Sequence, residues 1–302
     1  MKNQKKIWEE EHKTQKTFTR IYSQEPSAPI PGFINFLKRQ RLIFSKTKLL
    51  DIGCGKGRNS AFFALKGFQI VGVDFSTQAI KEAKERSKTQ IVFKVVDLTK
   101  NWPFENDYFD AVVDCNTTIC IPNPGREKAI KEAYRVLKPG GYCLFYGVAA
   151  MNMVRKFPGP EINSCLFPRT GKFEKQYIRK ELIQTYKNFK LVDLKRINGS
   201  DVIEGKLRKY SMWVGIFKKM NKEAVAAIVY EKNSDRVLVG RKKSDSNGSL
   251  RGQYHLPGET IEHGESDQQA LKRGMKEEAG IKVKVLRYLG SHVTPKKSTD
   301  CG

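Results

Sequence analysis

The sequence predicts a doubly wound α/β sheet followed by a smaller α+β module. Three observations carry that expectation. From residue 49 to residue 148, apolar runs of strand length alternate with helical patterns. The first run turns into a helix through three closely spaced glycines, Gly53, Gly55 and Gly57, and later runs end in an acid. Past the charged linker Lys218-Lys219-Met220-Asn221-Lys222 the composition shifts and a new pattern begins, in a chain of 302 residues that is long enough for two domains.

The organising stretch is LLDIGCGKGRNS, residues 49–60. Glycine is required where the backbone takes unusual dihedrals or where a ligand lies against it, so Gly53-Cys54-Gly55 and Gly57 mark a side-chain-bare shelf. The spacing departs from the dinucleotide fingerprint G-x-G-x-x-G: its third glycine position is Arg58, and Gly57 comes one residue early. A helix over 59–66 is stopped by Gly67, and a second run, 68–73, ends in Asp74, 21 residues after Gly53, where a carboxylate can accept from both hydroxyls of a ribose. A second helix over 77–87 starts at Ser76 or Thr77 and turns Ile80 and Ala83 to the sheet. A third run, 91–96, ends in Asp97; a fourth, 109–113, follows Asn106-Asp107; Leu137-Lys138-Pro139-Gly140-Gly141 closes a helix and opens a fifth run, 142–148.

At these residues the sequence resembles the class I S-adenosylmethionine-dependent methyltransferases, in the small-molecule branch that includes the tellurite-resistance type. The resemblance covers roughly residues 48–219 and implies a Rossmann-like, seven-stranded sheet finished by an antiparallel pair. The runs 189–197 and 210–217, joined by a polar Asn-Gly-Ser loop, are read as that pair. S-adenosylmethionine is the implied cofactor. Gly53, Gly55 and Gly57, with Cys54 between them, make room for its methionine part, and Asp51 helps fix the amine. Asp74 takes the ribose, while Asp97, Phe75 and the backbone amide of Leu98 take the adenine, against Trp102-Pro103-Phe104.

The resemblance also makes residues 1–48 a cap region, in which Trp8, His12 and Tyr22 are candidates for lining the site; for His12 the plainer reading is a helix docked on the sheet. A helix is expected over 33–44, another over 175–186, and the segment 151–172 between Met151 and Lys172 is expected to form part of the acceptor pocket. Asp114-Cys115-Asn116-Thr117-Thr118 ends the fourth strand and contains neither the Asn-Pro-Pro-Tyr that grips an exocyclic base amine nor a Pro-Cys nucleophile. Cys115 reads as a packed thiol, since no adjacent base is visible to ionise it. A small-molecule acceptor is the leading expectation.

Residues 256–281, LPGETIEHGESDQQALKRGMKEEAGI, resemble the Nudix box of hydrolases that cleave a nucleoside diphosphate linked to another group. Glu265, Glu277 and Glu278 are its candidate metal ligands, and hard carboxylate oxygens suit Mg²⁺ or Mn²⁺. Two positions depart from the box. Its leading glycine is Glu259, and the first glutamate of its R-E-x-x-E-E segment is Gly274, after the matched Arg273. Upstream, 224–230 and 236–240 read as a hairpin about Asn233-Ser234-Asp235. Three regions are therefore expected: a cap over 1–48, a methyltransferase domain over 49–219 and a partial Nudix-like module over 223–302.

Composition bounds the partners. With 56 Lys+Arg against 32 Asp+Glu the formal charge is +24, which attracts phosphate polymers. The basic residues are scattered without a basic-aromatic block, so nucleic acid is not the favoured partner, and RNA methylation stands as the alternative acceptor class. A nucleotide hydrolase dominated by the Nudix-like part is the alternative of a different class. Six cysteines without a C-x-x-C pair fit reduced thiols in a cytoplasm. The longest uncharged apolar runs, such as 224–230, fall short of the ~20 residues that cross a bilayer, and the N-terminus lacks the apolar core of a signal peptide.

Overall fold

In the computed structural model, residues 4–14, 25–87, 90–151, 153–203, 206–220, 224–226, 228–230, 237–238, 240–241, 254–261 and 265–286 are described. The chain divides into two units, residues 1–221 and 222–302.

The first unit opens with α1 (Gln4–Thr14), whose buried residues are Glu11 and His12. Next is α2 (Ile30–Arg39), with a proline in its first turn and Ile30, Phe33, Ile34, Phe36 and Leu37 buried. This helix starts earlier than the expected 33–44, with the proline in its first turn, and it also stops earlier, because Arg41 takes a left-handed φ of 60° that ends the helical run. Then β1 (Lys48–Ile52) leads through the glycine bend into α3 (Arg58–Leu65), β2 (Gln69–Asp74), α4 (Thr77–Arg86) and β3 (Val92–Val95). Ser76 caps α4 by accepting from the Ala79 amide at 3.1 Å, and Ala79, Ile80 and Ala83 are its buried face.

The sheet continues with β4 (Phe109–Cys115), α5 (Gly125–Val136) and β5 (Leu137–Val148). A short α6 (Met153–Lys156), a hairpin of β6 (Ser164–Leu166) and β7 (Phe173–Lys175), and α7 (Arg179–Thr185) precede the last strands, β8 (Lys190–Ile203) and β9 (Lys206–Lys218). The order across the sheet is β3-β2-β1-β4-β5-β9-β8, with β1 to β5 parallel and β9 antiparallel to both of its neighbours, β5 and β8. The expected seven-stranded, doubly wound architecture is borne out.

Alternate residues of each strand serve opposite faces, as a pleated strand requires. Leu50, Ile52, Val112, Phe145 and Phe217 pack with Ala129, Ile130 and Ala133 of α5 and Leu182 of α7. Leu49, Val113, Leu144, Val214 and Ile216 pack with α2 and with Phe63 of α3. Both faces are covered by helices, so the central strands β1, β4 and β5 are largely buried, whereas the edge strands β3 and β8 are partly exposed.

Three local expectations are corrected. Asn198-Gly199-Ser200 is not a loop: the β8–β9 ladder runs through it, pairing Asn198 with Ser211, Gly199 with Tyr210 and Ser200 with Lys209. Gly199 is there because a side chain would overlap the Tyr210 ring. The helix expected over 175–186 begins only at Arg179, because Phe173–Lys175 are taken by pairing with Ser164–Leu166. Trp102 is not part of an adenine surface. It is buried in the core, its indole N–H donates to the Leu98 carbonyl at 3.2 Å, and its amide donates to Glu132 of α5 at 2.7 Å.

The second unit comprises β10 (Ala224–Ala226), β11 (Val229–Tyr230), β12 (Val237–Leu238), β13 (Gly240–Arg241), β14 (Tyr254–His255), β15 (Gly258–Thr260) and α8 (Asp267–Ala279). The pairing of 229–230 with 237–238 agrees with the expected hairpin, whereas Ala224–Ala226 pairs with Gly258–Thr260 instead; the expected turn at 233–235 lies outside the described residues. Ser266 and Gln269 form a capping box at the start of α8, and Gly280 ends it at a φ of 67°. Among the described residues no helix is long and apolar enough to cross a membrane.

Candidate functional site

Strand order reverses between β1 and β4, and the crevice outside the carboxyl ends of strands at such a point is where ligands bind in open α/β sheets. The glycine bend lies there. Gly53, Gly55 and Gly57 have φ of 62°, 53° and 83°, a region that side-chain-bearing residues rarely adopt. Any side chain at Gly53 would overlap Thr117, whose hydroxyl donates to the Ile52 carbonyl at 2.9 Å. That bond ties the ends of β1 and β4 together. Gly57 is the residue before α3, and a Cβ there would meet the Phe93 ring at 2.9 Å. It therefore permits the close helix-to-sheet packing that the fingerprint assigns to its third glycine. Arg58, one position on, reaches Ser27 Oγ at 3.1 Å and holds the segment after α1. Cys54 is buried, and burial raises its thiol well above the usual range.

The acids at the strand ends sit in different surroundings. Asp51 is buried and accepts from Ser60 Oγ at 2.6 Å; burial raises it to about 7, against the lowering effects of Ser60 and Arg58. Asp74 is buried and accepts the amides of Gly55 and Ser76, each at 2.9 Å, one on each oxygen. Burial pushes its carboxyl up, opposed by the Ser76 amide and by His12. A carboxylate has about four acceptor sites, so Asp74 keeps acceptor capacity beyond those two amides. Phe75 follows it half-buried. Asp97 accepts the amide and hydroxyl of Thr99 at 3.0 and 2.7 Å, and its second oxygen pairs with Lys5 of α1. Burial would raise Asp97, but Lys5 and Thr99 outweigh it and hold the carboxyl below its ordinary value. Leu98 is buried beside it.

Helix α1 closes over this crevice. Lys5 reaches Asp97, while Gln4 donates to the Gly171 carbonyl at 2.9 Å and accepts the Phe173 amide at 2.8 Å. Lys172 pairs with Glu11 at 3.1 Å and lies 4.2 Å from the centre of the Trp8 ring. The His12 ring is 3.8 Å from where a Cβ on Gly55 would lie. His12 thus meets the glycine turn rather than the face of the sheet. Among the described residues, Trp8 Nε1, His12 Nδ1 and Asn116 Oδ1 are buried polar atoms without a hydrogen-bond partner, where most such atoms are satisfied. Asn116, at the end of β4, holds a left-handed φ of 59°. Tyr22, the other cap candidate, lies outside the described residues.

The expected acceptor segment, 151–172, contains β6 and ends beside α1, where the Gly171 carbonyl takes the Gln4 side chain, and β7 follows just beyond it. That strand presents Glu174, whose carboxyl burial raises, with Gln176 Nε2 donating to it at 2.9 Å. Asp114 anchors the end of β4 by accepting the amides of Thr117 and Thr118 at 3.1 Å and the Tyr186 hydroxyl at 3.2 Å; burial raises its carboxyl. Lys5 and Glu174 have no part in the expectations from the sequence, and Ser60 and Thr117 enter them only within the stretch 49–60 and the stretch that ends β4. Ser60 alone had a local signal, as it faces Asp51 from the first turns of α3.

In the second unit, Arg273 holds Glu265 by two bonds, Nε to Oε1 at 3.1 Å and Nη2 to Oε2 at 3.0 Å, and its Nη1 lies 3.4 Å from Glu277. The Glu278 side chain lies outside the described residues. Among those described, no group of three or more His, Cys, Asp or Glu is arranged to hold a metal by protein ligands alone.

Residues 49–141 match the family described as Methyltransferase domain. This part of the chain is a methyltransferase domain. Residues 220–302 match the family described as NUDIX domain, so the chain joins the two. Over 117 residues the chain is 32% identical to a putative methyltransferase, YqeM, of Bacillus subtilis, covering 37% of this chain and 47% of that protein. It is 31% identical over 121 residues to a ubiquinone biosynthesis O-methyltransferase of Chromobacterium violaceum, covering 38% and 50%. The chain thus spans about half the length of these curated relatives. A crystal structure of a SAM-dependent methyltransferase from Methanosarcina mazei superposes with a TM-score of 0.53 at 25% identity, covering 62% of this chain and 98% of that one. The methyltransferase domain so matched contains the glycine bend, Asp74 and Asp97.

Proposed function

We propose that the methyltransferase domain binds S-adenosylmethionine in the crevice between β1 and β4 and transfers its methyl group to a small-molecule acceptor. The observation that carries this reading is the left-handed glycine bend bonded to the buried Asp74 at the point where strand order reverses. The site fits the cofactor in kind: a cradle that side chains would fill, acids at its rim, and buried polar atoms on α1 and β4 that lack partners among the described residues.

Asp74 would take the ribose hydroxyls, Asp97 with Phe75 and the Leu98 amide the adenine, and Asp51 the amino group. Gly53, Cys54, Gly55 and Gly57 would leave room for the methionine part. When bound, the cofactor supplies an electrophilic methyl group on a sulfonium. The chain's own contribution is to hold donor and acceptor in line and to exclude water, for which positioning alone is worth many orders of magnitude in rate. Trp8 and His12 of α1 and the 151–172 segment line the acceptor side, with Lys5 and Gln4 fastening α1 over the crevice. The curated relatives' names support a small acceptor. In the second unit, Glu265, Glu277 and Glu278 would hold Mg²⁺ or Mn²⁺. The buried, unpaired cysteines Cys54, Cys143 and Cys165 support a cytoplasmic setting.

The test is methyl-labelled S-adenosylmethionine incubated with the protein and either a metabolite extract or total RNA. Label in the small-molecule fraction supports the reading. Label in RNA alone overturns the acceptor class, and absence of label together with absence of cofactor binding overturns the whole.

A further inference from the structure

We propose that Glu259 supplies, from β15, the metal-facing carboxylate that α8 lacks at Gly274. The inference rests on reading the second unit as a NUDIX domain and is independent of methyl transfer.

The two departures from the box are an exchange. Glutamate stands at 259, where the box has glycine, and glycine at 274, where it has glutamate. In the fold these positions are neighbours. A Cβ on Gly274 would lie 2.7 Å from Glu259 Cβ, 3.0 Å from its Cγ and 3.1 Å from its Oε2. A glutamate at 274 would therefore start in the space that the Glu259 side chain fills, and only glycine on that buried turn of α8 admits it. The carboxylate is not lost from the module; it reaches the same place from the strand.

Its surroundings favour a cation. Glu259 Oε2 is 3.8 Å from Arg273 Nη1, and the same guanidinium contacts Glu265 and Glu277 at 3.0 and 3.4 Å. Glu259, Glu265 and Glu277 thus converge on one guanidinium, and carboxylate oxygens are the hard donors that Mg²⁺ and Mn²⁺ prefer. Glu259 and Glu265 are largely withdrawn from water, with side chains 20% and 16% exposed, which strengthens their demand for a counter-ion. Glu259 Oε1 accepts the Thr260 amide at 2.7 Å, which orients the carboxylate and leaves Oε2 toward α8.

The test is Mn²⁺ binding to the full chain, followed by loss of the free-ion paramagnetic resonance signal, for the wild type, Glu259→Gln, and the exchange Glu259→Gly with Gly274→Glu. Expected are Mn²⁺ binding by the wild type, a loss of about tenfold or more in affinity for Glu259→Gln, and recovery to within about threefold in the double exchange. Glu259→Gln is nearly isosteric, and its circular dichroism melt checks that the fold is kept. Unchanged Mn²⁺ affinity in Glu259→Gln overturns the assignment of Glu259 while leaving the metal-binding reading standing. Failure of the wild type to bind Mn²⁺ overturns both.

Discussion

The amide of Gly55 donates to Asp74 Oδ2 at 2.9 Å, while the other oxygen of the same carboxylate takes the Ser76 amide at the start of α4. One buried side chain therefore fixes the glycine bend after β1 against the end of β2. An asparagine at 74 has a single acceptor oxygen, so Asp74→Asn leaves one of the two amides facing an NH₂ group. Loss of a buried acceptor costs about 1–3 kcal/mol. Denaturant unfolding of Asp74→Asn should show that loss; an unchanged midpoint and slope would contradict the linkage.

The contact of Gly53 with Thr117 predicts a coupled pair. Gly53→Ala introduces a side chain into Thr117 and forces a φ of 62° on a residue that resists it, at a combined cost of about 2–4 kcal/mol. Thr117→Gly removes the overlap but not the backbone strain. In a double-mutant cycle the pair should recover about 1–2 kcal/mol relative to the sum of the single changes. Strict additivity would mean that the two residues do not meet.

Asp51 predicts a pH dependence. Burial raises its carboxyl to about 7 in the folded chain, whereas the unfolded value is about 3.9. The folded state holds the proton more tightly, so the contribution of the neutral acid is complete below about pH 4 and is lost as pH rises to about 7. Asp51→Asn, a neutral replacement, should gain stability over the wild type across that window, levelling off above it at on the order of 4 kcal/mol. Unfolding free energies of both proteins from pH 4 to 8 check this, and a pH-independent difference would contradict it.

Four cysteines of the first unit should be inert. Burial drives Cys54, Cys115, Cys120 and Cys143 upward as thiols. Peptide mapping after brief iodoacetamide treatment of the native protein at pH 8 should find these four unmodified. Rapid labelling of Cys115 would reopen it as a nucleophile.

The parallel strands were legible because both faces are buried and their runs are apolar, and the start of α4 was legible because Ser76 carries a local capping signal. Other features depend on partners distant in sequence. Asn198-Gly199-Ser200 reads locally as a loop, but Tyr210 across the ladder requires glycine inside a strand. Lys175 falls at the start of the helix expected over 175–186, and its pairing with Ser164 depends on a strand at 164–166 that has no signal of its own. Trp102 reads locally as part of an apolar stretch after Leu98, and the bond of its amide to Glu132, 30 residues on, is what holds it in the core. At the site, Asp74 and the glycines could be read from spacing, whereas Thr117 on Gly53 and Lys5 on Asp97 arise only when separate segments meet. Glu259 and Gly274 looked like two losses in the sequence; their adjacency is visible only in the fold.

The most direct test of the cleft is calorimetric titration of the purified chain with S-adenosylhomocysteine, alongside Asp74→Ala. The account predicts saturable binding by the wild type and a loss of tenfold or more in the variant, about 1.4 kcal/mol or greater. No binding by the wild type, or equal affinity in both proteins, would contradict it.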